Sequence, residues 1–168
     1  LVQRAEDAIR DGAQLFVLNH VSNVFGWAMP VWEIAEKLDA AGIPLIVDAS
    51  QSAGLLPVET GHPCLAAVCM PGHKALYGPM GTGVLLVLDD RLARRPLLAG
   101  GTGSVSEQMR QPDFLPDAFE SGTPNVPGIA GLAAGAAFVR SVGPERILAH
   151  ERQLIAELAR ALEREPRI

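Results

Sequence analysis

The sequence has little of several features that mark particular classes of protein. It contains two cysteines in 168 residues, and aromatic residues make up 5%. Two cysteines cannot build a disulfide scaffold, so we expect a reducing compartment and a cytoplasmic location. The net charge is −5 and no basic tract is present, which argues against a nucleic-acid partner. No apolar run approaches the roughly 18 residues of a membrane-spanning helix, so no membrane partner is expected.

The chain is nevertheless rich in apolar residues, which make up 48% and exclude a disordered protein. Short apolar runs predict strands at residues 14–19, 44–48, 65–70 and 83–88. Helical spacing of apolar residues is found at residues 1–11, 30–41, 128–142 and 144–164. This strand–helix–strand order predicts an α/β fold, with a mostly parallel sheet and flanking helices.

The last two predicted helices carry different expectations. Residues 128–142 are small and apolar on all sides, which predicts a buried helix. Residues 144–164 are amphipathic. The apolar residues expected to face inward there are Ile147, Leu148, Leu154, Ile155, Leu158 and Leu162.

Polar side chains follow three of the predicted strands, at residues 20–23, 48–52 and 71–74. Parallel strands end at one edge of a sheet, and ligands of α/β proteins bind beyond that edge. Lys74 precedes a glycine-rich turn, where its amine could attack a carbonyl; a solvated loop lysine is the alternative. Asp48 could pair with a protonated ring nitrogen of a ligand, or it could cap the following turn.

The remaining reactive residue types give weaker signals. His73 could donate to a phosphate or stack on a ring, although a lone histidine more often has a structural role. The histidines and cysteines lack the spacing of metal ligands, so no metal site is expected. Cys69 lies in an apolar strand and is expected to be an inert thiol. Cys64 lies on the preceding turn and is a weak candidate nucleophile.

Four motifs in order resemble one enzyme family. They are His20–Gly26 (HVSNVFG), Asp48–Gly54 (DASQSAG), Gly72–Pro79 (GHKALYGP) and Phe119–Asn125 (FESGTPN). Together they resemble the fold-type-I enzymes that use pyridoxal 5′-phosphate (PLP), in the class V aminotransferase group. Within that group the resemblance is to the cysteine desulfurase and selenocysteine lyase-like proteins, and it covers essentially the whole chain.

The resemblance implies a role for four residues around the cofactor. Lys74 would form the internal Schiff base with PLP and later transfer a proton as the catalytic base. Asp48 would pair with the protonated pyridine nitrogen and keep the ring an electron sink. Gln51 would hydrogen-bond the phenolic oxygen, and His73 would help to hold the phosphate.

Two further residues would act at the margin of the same site. Asn23 would lie near the phenolic oxygen or the carboxylate of the substrate. Thr123 would reach the phosphate of the PLP bound by the partner subunit, which implies a homodimer.

The sequence also departs from the family pattern. Pro71 stands where many members have a phosphate-binding hydroxyl residue. The substrate-carboxylate arginine and the nucleophilic cysteine of desulfurases are expected outside these residues, since neither Cys64 nor Cys69 corresponds to that cysteine. We therefore expect this chain alone to be inactive.

The chain is expected to be one partial PLP-binding large domain, spanning residues 1–168. Residues 1–95 would form a βαβ core with the cofactor motifs, 96–127 a long loop, and 128–168 helices leading toward a C-terminal domain. By the same resemblance, the strand at 83–88 would run antiparallel to the others. An exposed sheet edge would favour self-association.

The resemblance implies removal of sulfur from L-cysteine to give alanine. The partners would be a small amino-acid substrate, a second copy of the chain and a protein that accepts sulfur. One alternative is a PLP-dependent aminotransferase or another lyase of the same branch. The other is a catalytically inactive, truncated α/β module.

Overall fold

The computed structural model of the chain describes residues 1–89, 95–105 and 107–165. Its elements are α1 (Val2–Arg10), β1 (Phe16–Asn19), α2 (Val31–Ala41), β2 (Leu45–Asp48), β3 (Leu65–Pro71), β4 (Gly83–Val87), α3 (Val126–Val142) and α4 (Pro144–Leu162). The four strands form one sheet in chain order. β1, β2 and β3 are parallel, and β4 pairs antiparallel with β3. The prediction of a mostly parallel sheet with flanking helices is confirmed.

One face of the sheet packs against α1 and α2. The buried residues of α2 (Val31, Ile34, Ala35 and Leu38) meet the alternate side chains of β2, Leu45 and Val47. Pro30 precedes α2, and Gly42 ends it in the left-handed conformation, with φ 67°. This layer is the main core of the protein, and it fixes where β1, β2 and β3 end.

The opposite face of the sheet is largely open in the described part of the chain. Because side chains alternate along a strand, Asn19, Asp48, Cys69 and Leu85 lie in register on this face. Leu85 is 49% exposed, and Val17, two residues before Asn19, is 63% exposed. The polar residues that end the parallel strands therefore stand on a surface that no described helix covers.

The two C-terminal helices are less buried than their patterns predict. In α3 only the stripe of Gly128, Leu132, Gly135 and Val139 is buried, whereas Phe138 is exposed. In α4 Ile147 is buried, but the predicted inward residues Leu154, Ile155, Leu158 and Leu162 are exposed. Both predictions of burial were wrong for these faces, because no described element packs against them. Residues 166–168, at the end of the predicted helical region, lie outside the described residues.

Helices α3 and α4 meet at Gly143 and are bent by 81°. Among the described residues, no single helix is long and apolar enough to cross a membrane. By length and composition alone, this bent pair passes that test together.

The described residues between β4 and α3 form neither helix nor strand. This region contains the long loop predicted at residues 96–127. The Gln111 side chain links two parts of this loop. It accepts a hydrogen bond from the Gly100 N–H at 2.7 Å and donates one to the carbonyl oxygen of Asp117 at 2.5 Å. The Gly122 N–H donates to the Gly100 carbonyl at 2.8 Å. Residues 90–94 and residue 106, which belong to the predicted core and loop segments, lie outside the described residues.

Candidate active site

The three polar clusters lie at one edge of the sheet because the parallel strands end in register. Asn19, Asp48 and Cys69 are neighbours across β1, β2 and β3. The His20 N–H donates to the Asp48 carbonyl at 2.9 Å, and the Ala49 N–H donates to the Cys69 carbonyl at 2.9 Å. These bonds continue the ladder for one residue beyond the strands. The residues that follow each strand are thereby delivered to a common edge.

Asp48 ends β2 with an exposed carboxylate on the open face. One carboxylate oxygen, Oδ1, accepts a hydrogen bond from the Ser50 N–H at 2.8 Å. The capping role considered for Asp48 is thus filled by one oxygen only. The other oxygen has no hydrogen-bond donor among the described residues and is available to a ligand. Gln51, in the turn that Asp48 caps, is half-buried.

Lys74 is exposed in a turn closed by backbone hydrogen bonds. The Gly78 N–H donates to the Gly72 carbonyl at 2.7 Å, and the Tyr77 N–H donates to the Lys74 carbonyl at 2.9 Å. The Gly72 N–H in turn donates to the Thr82 carbonyl at 2.8 Å. The Lys74 amine has no ion pair or hydrogen bond within the described ranges. The fold therefore fixes the backbone of Lys74 and leaves its amine free.

The turn after Asp48 touches the turn that carries Lys74 through backbone atoms. Gly54 has φ 91°, and a Cβ added there would collide with the carbonyl oxygen of Ala75, the residue after Lys74. Only glycine combines this φ with this close approach. Gly54 thus lets the carboxylate-bearing turn and the amine-bearing turn lie against each other. Apart from a glycine within a motif, no sequence signal indicates this contact.

The three other predicted site residues are all exposed. Asn23 is exposed at the tip of a short hairpin, which is closed by a bridge between Val21 and Ala28. His73 is exposed beside Lys74. Thr123 is exposed just before α3, and it makes no hydrogen bond or ion pair with another described residue. Near Thr123, the Asn125 side chain caps α3 by accepting from the Gly128 N–H at 3.1 Å.

A second polar cluster, which the sequence did not indicate, lies on the α2 side of the sheet. The Asp39 carboxylate accepts from the Cys64 N–H at 2.7 Å and lies 2.7 Å from Nδ1 of His62. The ring of Trp32 stacks on His62, with centroids 5.9 Å apart, and the His20 ring meets the edge of Trp32 at 5.3 Å. These residues are far apart in the chain, so no local motif could reveal their contact.

Two members of this cluster have chemistry set by burial. Cys64 is 5% exposed; burial, with the neighbouring Asp39 carboxylate, raises the pKa of its thiol to about 12. The expectation of Cys64 as a weak candidate nucleophile is therefore wrong, because the thiolate is the reactive form. Burial also lowers the pKa of His20, against the attraction of Glu59. The Nδ1 atom of His20 is buried and has no hydrogen-bond partner among the described residues.

Cys69 is half-buried on the open face, next to Asp48 in the strand register. Burial and the Asp48 carboxylate raise the pKa of the Cys69 thiol. Neither cysteine therefore resembles an activated nucleophile. The described residues contain no group of three or more His, Cys, Asp or Glu side chains that could hold a metal ion.

Comparison with known proteins places this geometry in context. A family model described as "Aminotransferase class-V" matches residues 1–168. A probable cysteine desulfurase of Pyrococcus abyssi is 34% identical over 165 residues, which are 95% of this chain and 40% of the relative. A cysteine desulfurase of an Enterobacter species is 35% identical over 162 residues, covering 91% of this chain and 40% of the relative.

Solved structures of cysteine desulfurases are also similar to this chain. The apo structure of a cysteine desulfurase from Thermococcus onnurineus has a TM-score of 0.82 at 33% identity, and covers 96% of this chain and 41% of its own. A cysteine desulfurase from Escherichia coli has a TM-score of 0.83 at 28% identity, and covers 98% of this chain and 42% of its own. The chain thus spans about two fifths of the length of the proteins it matches.

Proposed function

The chain belongs to the class V aminotransferase family, and from this premise we propose that it is part of a PLP-dependent cysteine desulfurase. Such an enzyme removes sulfur from L-cysteine and leaves alanine. One observation of the fold carries the proposal: the backbone contact between Gly54 and Ala75, which packs the Asp48 turn against the Lys74 turn. The relatives named as cysteine desulfurases support this reaction over transamination.

The donor set at the sheet edge fits PLP. The Asp48 carboxylate keeps one oxygen without a described donor, which suits a protonated ring nitrogen. The Lys74 amine is free, which suits covalent attachment to an aldehyde carbon. When bound, PLP supplies an electron sink that stabilises negative charge developing on the substrate.

Each residue at this edge has a proposed task. Lys74 would hold the cofactor through Nζ and would hold and move a proton at the same atom. Asp48 binds the ring N–H and keeps that nitrogen protonated, because an adjacent negative charge favours the cationic form. Gln51 donates its amide N–H to the phenolic oxygen, and His73 donates a ring N–H to the phosphate.

Asn23 and Thr123 are proposed to complete the site from its margin. Asn23 donates from the hairpin tip to the phenolic oxygen or to the substrate carboxylate. Thr123 donates its hydroxyl to the phosphate bound by a second subunit, so the protein is proposed to act as a homodimer. Pro71 lacks both a hydroxyl and an N–H, which leaves phosphate binding more dependent on His73 and Thr123.

The thiol that takes sulfur from the substrate is not proposed to be Cys64 or Cys69. Both thiols have a raised pKa, so little thiolate forms at neutral pH. We propose a nucleophilic cysteine that lies outside these residues, and a sulfur-accepting protein that receives the sulfur from it.

Trapping the cofactor on its lysine tests the proposal. The chain contains two lysines, Lys74 and Lys37, and Lys37 is also exposed, with its amine 3.3 Å from Glu6. After incubation with PLP and reduction with borohydride, peptide mass spectrometry should find the label on Lys74 well above that on Lys37. Lys74→Ala should abolish the absorbance band of the lysine-linked cofactor, and Lys37→Ala should leave it unchanged. Equal labelling of both lysines, or no label, would contradict the proposal.

A further inference from the structure

The turn that carries Lys74 contains an unusual backbone residue. Tyr77 has φ 55°, and it is the one non-glycine residue with a positive φ in the described parts of the chain. This left-handed conformation is unfavourable for a bulky L-residue, because its Cβ crowds the neighbouring carbonyl. Such a residue persists where its surroundings enforce it, so the contacts of Tyr77 identify what holds it.

Helix α3 provides those contacts through a glycine and an aromatic ring. A Cβ added at Gly135 would collide with the carbonyl oxygen of Leu76 and would lie 2.7 Å from the carbonyl carbon and oxygen of Tyr77. The absence of a side chain at Gly135 therefore lets the helix lie directly against this peptide. One helical turn later, the Phe138 ring meets the Tyr77 ring edge-on, with centroids 5.3 Å apart.

The same turn links Tyr77 to Lys74. The Tyr77 N–H donates to the Lys74 carbonyl at 2.9 Å, so the backbone of Lys74 is bonded to the residue that α3 holds. The next residue, Gly78, closes the turn on Gly72 at 2.7 Å. A shift of Tyr77 away from Gly135 would therefore move the Lys74 backbone and the amine that it carries.

We propose that Tyr77 is a positioning residue for Lys74, held in place by Gly135 and Phe138 of α3. The inference rests on the proposed function, because it matters only if Lys74 attaches the cofactor. Tyr77 acts through the Lys74 carbonyl and needs no contact with PLP or substrate. Its role is to fix the direction from which the amine approaches.

Gly135→Ala tests the proposal most directly, and Gly131→Ala is its matched control. Both changes replace glycine by alanine on the same helix and raise helix propensity alike. At Gly131 the new Cβ would meet only the Pro79 ring, at 3.1 Å, whereas at Gly135 it would displace backbone. We expect Gly135→Ala to slow PLP attachment to Lys74 by about 10-fold to 100-fold, as misplacement of a reacting group by about 1 Å does. Gly131→Ala should stay within about twofold of the parent chain.

If Gly135→Ala does not fold, variants of Tyr77 and Phe138 still test whether the contact between their rings positions Lys74. Tyr77→Phe retains the ring and should attach PLP like the parent. Phe138→Ala removes the ring contact that helps to hold Tyr77, and should slow attachment about 2-fold to 13-fold, as loss of about 0.5–1.5 kcal/mol of aromatic contact predicts. All rates are divided by the folded fraction measured by circular dichroism.

The dependence of the attachment rate on PLP concentration separates positioning from stability. A repositioned amine should lower the maximal rate constant at saturating PLP in Gly135→Ala and Phe138→Ala. Loss of folded protein would lower only the amount of cofactor attached and leave that rate constant in place, which would contradict the inference. A labelled parent with unchanged rates in both variants would also overturn it, while the proposed function stood. An unlabelled parent would contradict the proposed function and this inference together.

Discussion

The two faces of the sheet differ in what covers them and in which residues they carry. On one face Leu45 and Val47 of β2 are buried against α2. On the other, Ile46 and Asp48 of the same strand lie on an open surface. In this four-residue strand, alternate side chains therefore pack in the core, and the other two lie on the face of the candidate site.

Substitutions on the two faces should therefore have different effects, one on the stability of the fold and the other on ligand binding. Changes to the covered face should affect unfolding and leave ligand binding alone in the folded protein. Changes to the open face should do the reverse, because few described contacts are lost there.

The largest effect on stability is expected at Leu38, which is fully buried in the covered layer. Leu38→Ala removes a packed side chain and leaves a cavity, so it should lower the free energy of unfolding by about 2–5 kcal/mol. Val17→Thr, on the open face, is the control and should stay within about 0.5 kcal/mol. Chemical denaturation measures both, and equal losses would remove the distinction between the faces.

A smaller effect, on binding alone, is expected from Asp48→Asn. Asparagine keeps an Oδ1 atom to accept from the Ser50 N–H, so stability should change little. It loses the charge that would hold a protonated ring nitrogen, and hydrogen bonds to charged groups contribute about 1.5–3 kcal/mol. PLP affinity should therefore fall by about tenfold to 100-fold in an equilibrium titration. Unchanged affinity would show that Asp48 only caps its turn.

The smallest effect concerns pH and the Asp39 cluster on the covered side. Burial opposes ionisation of Asp39, but hydrogen bonds from His62 and Cys64 outweigh it and lower the pKa of the carboxyl below 3.8. The unfolded chain binds this proton more readily than the folded protein does. The ionised Asp39 carboxylate therefore stabilises the folded protein fully at pH values well above 3.8, and this stabilisation is lost as the pH falls through the pKa of the folded state.

Asp39→Asn should remove that part of the pH dependence and cost about 1 kcal/mol at neutral pH. Denaturation curves of both proteins at neutral and acidic pH measure the difference. If the difference in unfolding free energy between the parent and Asp39→Asn stays constant down to about pH 3, Asp39 does not contribute to the pH dependence of stability.

Much of the fold could be predicted because its signals are local. The apolar runs gave β1, β2 and β3, and Gly42 ended α2 where the pattern predicted. The antiparallel direction of β4 came from the family resemblance, since an apolar run of five residues does not specify direction. Burial of α3 and α4 was predicted wrongly at Phe138 and Leu154, because periodicity identifies an apolar face without identifying its partner.

The candidate site was less accessible to sequence reasoning. Its motifs were visible, and the strand ends that carry them are brought to one edge as the pattern predicts. The contacts that fix them were not visible: Gly54 against Ala75, and Gly135 against Tyr77, are close approaches between segments distant in the chain. Nothing about a tyrosine in a glycine-rich turn signals a left-handed backbone, because that conformation is imposed by tertiary packing.

The contact between Gly54 and Ala75 also bears on motion. Backbone atoms cannot rotate away as side chains do, so the turns of Asp48 and Lys74 cannot move closer together than this contact allows. The paired strands β2 and β3, from which the two turns emerge, limit their separation in the other direction.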